Sequence, residues 1–128
     1  MLFTGSPCPV AMSEGHLEHF RSERARMNKK ILDEDHLGVK RFFNLDSNAY
    51  RDGPLDKTTK EYMGLVASLV LRCDDCVAYH LDTLATECGA KREELMDALN
   101  VGLVVGGSIT IPHIRRAWDL VQELLPKE

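Results

Sequence analysis

Apolar residues recur along this chain at three- and four-residue intervals, and no stretch alternates as a strand should over any length. The pattern predicts an all-α protein, a compact bundle of about six helices. Leu17, Phe20, Ala25, Met27, Ile31 and Leu32 form a loose stripe among many charges. They predict an outer helix opening near Ser13 and reaching about Asp33. Leu37, Val39, Phe42, Phe43 and Leu45 mark the buried side of a second helix running to about Ala49, and Asp52-Gly53-Pro54 stops it. Asp56 caps a third. From Tyr62 to Leu71 nearly every position is apolar or small, as in a helix buried all round. The fourth helix should begin near Cys73 to Asp75, with Gly89 as its stop. A fifth opens at about Lys91 and breaks at Gly106-Gly107. The last starts at Ser108 or Thr110, carries Pro112 in its first turn and ends before Pro126.

With 128 residues the chain is expected to form one domain with its own core. Residues 1–12 read as a flexible tail, where Cys8 sits between two prolines. The third and fifth helices together carry more apolar surface than four short amphipathic neighbours can cover, so a homo-oligomer is expected. A net charge of −4 and a pI near 5.7 argue against nucleic acid or an anionic membrane as partner. The N-terminus lacks the basic and apolar regions of a signal peptide. The longest apolar run, Leu95 to Ile114, is interrupted by Asp97, Asn100, Pro112 and His113, so no membrane span is expected. These readings point to the cytoplasm, where two close cysteines are more often catalytic or metal-binding than a structural staple.

The chemistry concentrates between Glu61 and His80. Cys73 and Cys76 form a Cys-x-x-Cys pair, and His80 follows four residues after the second thiol. On a helix these three share a face. A single continuous helix would hold Glu61 far from the thiols. A bend at Arg72-Cys73 gives a helical hairpin instead, with Glu61 facing His80 and the dithiol in the first turn of a helix. The unpaired N–H groups there stabilise a thiolate. Such a pair suits dithiol redox chemistry, with the imidazole as base or counter-charge. Two buried structural thiols are the plainer alternative. A zinc site wants four ligands, and this stretch offers three, so no metal is expected. Cys88, Tyr79, Trp118 and His113 read as packing residues.

The spacing of Glu61, Cys73, Cys76 and His80, together with Gly89-Ala90, Lys91-Arg92-Glu93-Glu94-Leu95 and Gly106-Gly107, resembles the alkylhydroperoxidase-D-like group of the carboxymuconolactone decarboxylase family. The likeness covers roughly residues 37–120. It implies an all-helical protein that assembles as a trimer or hexamer. It further implies that Cys76 attacks a hydroperoxide, that Cys73 resolves the sulfenic acid as a disulfide, and that Glu61 and His80 relay protons. The pair would then be reduced by an external dithiol, a thioredoxin-like or lipoyl protein. No flavin, nicotinamide or haem motif is present, so no cofactor is expected. The alternatives are a lactone-processing enzyme of the decarboxylase branch and a non-redox oligomeric helical module.

Overall fold

The protein is described here by a computed structural model covering residues 15–127. The expected helix start at Ser13 and the tail with Cys8 lie outside the described residues. Among those residues the chain forms six α-helices, one 3-10 turn and no strand, in accord with the all-α expectation. The helices are α1 (His16–Asp33), α2 (Leu37–Ala49), α3 (Lys57–Val70), α4 (Asp74–Glu87), α5 (Arg92–Gly106) and α6 (Ile111–Leu124), with the 3-10 turn Ser108–Thr110 leading into α6. Two compact units divide the described chain, one ending at Leu45 and the other opening at Asp46.

In the first unit α1 buries no residue, as its charge-rich sequence suggests. Its surface carries the pairs Glu23–Arg26 and Lys29–Asp33, which lie in water and contribute little. The expected buried side of α2 is a correction. Leu37, Phe42 and Leu45 are all well over half exposed, and α2 buries no residue. An apolar stripe is buried only where another element lies on it. Met27, Ile31 and Leu32 of α1 are exposed too, and Leu17 and Phe20 of α1 and Val39 and Phe43 of α2 are only half-buried.

The second unit holds the core. Asp56 caps α3 by accepting a hydrogen bond from the Thr59 amide at 2.8 Å. α3 packs chiefly on α4 and α5, and α4 packs on α6. Leu65, Leu69, Leu81, Leu84, Leu95, Leu99 and Val121 are wholly out of water between these helices. Each fully buried leucine contributes about 2 kcal/mol of transfer free energy. α5 meets α3 closely because position 102 is glycine: a Cβ there would stand 2.6 Å from a Leu69 methyl. Lys57, at the start of α3, bonds Glu87, at the end of α4, at 2.6 Å and joins the foot of the helical hairpin. Arg92, at the start of α5, donates to the Leu125 carbonyl at 2.6 Å and lies over the Trp118 ring, joining α5 to the end of α6.

The expectation that α3 is buried all round is also corrected. Glu61, Leu65, Ser68 and Leu69 face inward, whereas Met63, Ala67 and Leu71 face out. Two neighbouring helices cannot enclose a third on every side, so one apolar stripe stays bare. α5 behaves alike, with Val101, Val104 and Val105 more than half exposed. Among the described residues no helix is long and apolar enough to cross a membrane.

Candidate active site

The site is built at the bend between α3 and α4. α3 ends in a Schellman arrangement: the Cys73 amide donates to the Ser68 carbonyl at 3.0 Å, and the Arg72 amide to that of Leu69 at 2.9 Å. Arg72 occupies the left-handed position of that motif, with φ of 61°, where glycine is the usual residue. Cys73 closes α3 in this way and at once becomes the N-cap of α4, its sulfur accepting from the Cys76 amide at 3.3 Å. Cys73 and Cys76 are joined as a disulfide, with Cα atoms 5.3 Å apart. Cys76 is exposed and Cys73 half-buried. The pair thus lies in the first turn of α4, as the spacing predicts, and one of its sulfur-bearing residues meets solvent.

One turn further along α4 the surroundings close in. His80 and Glu61 are buried, 6% and 1% exposed, and His80 Nδ1 lies 2.7 Å from Glu61 Oε1. The carboxylate therefore partners the imidazole and not a sulfur, which the length of the two helix arms foretells. A buried carboxylate is tolerated because this hydrogen bond meets it. The other side of the ring faces the α3 backbone at Gly64. A Cβ there would stand 2.6 Å from His80 Nε2 and 2.8 Å from the Tyr50 hydroxyl, so glycine makes room for both. The Tyr50 and Tyr79 rings each lie 5.3 Å from the imidazole, the second edge-on. Burial pushes the Tyr50 hydroxyl above its ordinary range, and the charges of Glu61, Asp46 and Tyr79 add to this. Tyr50 keeps its proton and can act as a donor beside the ring.

A second cluster stands at the dithiol turn itself. Asp74, directly after Cys73, receives His113 Nδ1 at 2.7 Å on one oxygen and Arg116 Nε at 2.8 Å on the other. Both partners come from α6. Burial works to raise the Asp74 carboxyl, but the hydrogen bonds from His113 and Arg116 and their charges outweigh it and hold it below the ordinary carboxylate range.

The structure therefore forms two bonded pairs, Cys73 with Cys76 at the start of α4 and Glu61 of α3 with His80 one turn further along α4. Sequence reasoning missed Tyr50 and Gly64, which carry no motif and meet His80 only through the fold. It read His113 as packing, whereas its ring bonds the residue beside Cys73. Among the described residues no three of His, Cys, Asp and Glu gather where a metal ion could be held.

Comparison with known proteins places this arrangement. A Thermotoga maritima protein, 56% identical, aligns over 84% of this chain and 93% of its own with a TM-score of 0.80. A second crystal structure of the Thermotoga protein, with a TM-score of 0.77, describes a carboxymuconolactone decarboxylase family member and a candidate for the antioxidative response. A carboxymuconolactone decarboxylase family protein from Legionella pneumophila is 27% identical, covers 87% of this chain and 97% of its own, and has a TM-score of 0.76. The uncharacterized protein 4 in the cox locus of Paracoccus denitrificans is 28% identical over 83 residues, 65% of this chain and 74% of that protein. The model of the carboxymuconolactone decarboxylase family itself matches residues 38–120, which span the whole hairpin and both clusters. The chain belongs to that family.

Proposed function

We propose that the protein is a dithiol peroxidase that reduces hydroperoxides through Cys76 and Cys73. The observation that carries this reading is the bonded pair at a helix N-terminus, with Cys76 exposed, one turn from a buried Glu61–His80 pair. The Cys76 thiolate attacks the outer peroxide oxygen, the O–O bond breaks, and the alcohol leaves with a proton. Cys76 is now a sulfenic acid. The Cys73 thiol attacks that sulfur and releases water, so one peroxide and two thiols become one alcohol, one water and one disulfide. His80, held in orientation by Glu61, moves protons for these steps. Two electrons from an external dithiol protein, thioredoxin-like or lipoyl-bearing, return the pair to its reduced state. Such a supply of thiols suits the cytoplasm. The antioxidative description of the Thermotoga relative agrees with this chemistry.

The decisive measurement is stopped-flow consumption of an organic hydroperoxide by the reduced full chain. One disulfide should form per peroxide consumed, and Cys76→Ser should abolish the reaction. Undiminished turnover in that variant would reject Cys76 as nucleophile. Turnover of a carboxylated lactone unaffected by loss of both cysteines would favour the decarboxylase branch.

We also read the bare apolar strip on α3 and α5 as the surface on which copies of the chain associate. It forms an open groove of about 840 Å³ lined by Met63, Val66, Val70, Ala98, Val101 and Val105 among others. Its size and apolar character suit burial between subunits.

A further inference from the structure

Asp74 sets a problem at the dithiol turn. A helix N-terminus favours one negative charge beside it, and a thiolate there competes with any carboxylate in the same turn. Asp74 is adjacent to Cys73 and shares the first turn of α4 with Cys76. Left alone, its charge would oppose ionisation of either sulfur.

It is not left alone. His113 and Arg116 reach it from α6, across 39 and 42 residues of chain, and occupy its two oxygens separately. Arg116 Nη2 also lies 3.3 Å from His113 Nδ1, so the three groups form one cluster. As a stabilising device this is weak, because the Arg116 side chain is 58% and that of Asp74 42% exposed. What the cluster does supply is a fixed cation opposite the carboxylate that directly follows Cys73.

We propose that Arg116 and His113 are positioning residues for the dithiol: they neutralise Asp74 and thereby set how readily the Cys73–Cys76 pair ionises and is reduced. The proposal rests on the dithiol reading above. Asp74 is held ionised by these two partners, so at neutral pH its charge is present and needs an opposing one. Removing the cation and removing the carboxylate must act in opposite directions, which no packing role would produce.

The test uses the reduced full chain and four variants: Arg116→Gln, Asp74→Asn, the double variant, and Arg116→Lys. Two quantities are read, the rate of thiol alkylation at neutral pH and the dithiol–disulfide equilibrium in glutathione buffers. One charge gained or lost at this range and exposure should change the thiolate population by roughly threefold. Arg116→Gln should slow alkylation by that factor and shift the equilibrium towards disulfide, because a reduced form with less thiolate character is less favoured. Asp74→Asn should do the reverse. The double variant should return close to the parent, and Arg116→Lys should stay near it. Shifts of the same sign in both single variants, or none, would overturn the proposal, whatever their thermal stability. A parent chain whose pair forms no reversible disulfide would instead remove the redox reading, while the alkylation rates still decide the charge effect.

Discussion

His80 is constrained on two sides, by Glu61 at Nδ1 and by the closeness of the Gly64 backbone to Nε2, with the Tyr50 ring beside it. Each constraint can be removed separately. Glu61→Gln keeps the size of the side chain and discards its charge, so peroxide reduction by the stopped-flow assay should fall by about a hundredfold, the lower end of what general acid–base catalysis contributes. Gly64→Ala puts a carbon where the ring and hydroxyl already are. Backbone and imidazole would have to part, at a cost of about 1–3 kcal/mol measurable by urea unfolding. Asp74 gives a pH signature. Its carboxyl titrates below its ordinary value of 3.8, so the folded state gains from it above that pH and loses this gain as acid takes the pH down through the lower folded value. Thermal unfolding followed as the pH falls below 3.8 should therefore show a steeper loss in the parent than in Asp74→Asn. At this scale the sequence was readable where one helix carries the chemistry. Cys73, Cys76 and His80 lie on one face by spacing alone. Tyr50, Gly64, His113 and Arg116 join them only when separate elements pack.

Among the elements, the bend between α3 and α4 decides the site. Arg72 holds a left-handed backbone at an exposed position, a conformation costing a non-glycine residue roughly 1–2 kcal/mol. Arg72→Gly should stabilise the protein by about 0.5–1 kcal/mol in a denaturant titration, since glycine's greater freedom in the unfolded chain offsets part of the relief. Other boundaries announced themselves in composition: Asp52-Gly53-Pro54, Gly89 and Gly106-Gly107 all end helices. The bend carried no glycine or proline. It was legible only through geometry, because one straight helix would hold Glu61 away from the thiols.

On the scale of the molecule, the misjudged faces share one cause. Phe42 and Leu45 on α2, Met63 and Leu71 on α3, and Val104 and Val105 on α5 are apolar yet exposed. Periodicity tells which side of a helix avoids water but not what covers it. The self-association proposed for the α3–α5 groove predicts larger species for the parent in sedimentation velocity and smaller ones for Val101→Glu, which places a charge in that groove. An unchanged sedimentation coefficient would remove the groove from the contact surface.

The double duty of Cys73 has one more outcome. Because the same residue finishes one coil and opens the next, no slack joins the two arms of the hairpin. Lengthening the link by even one amino acid between Leu71 and Cys73 would break the two backbone hydrogen bonds that close α3 or unseat Cys73 as the cap of α4. The link should therefore accept changes of side chain and refuse changes of length.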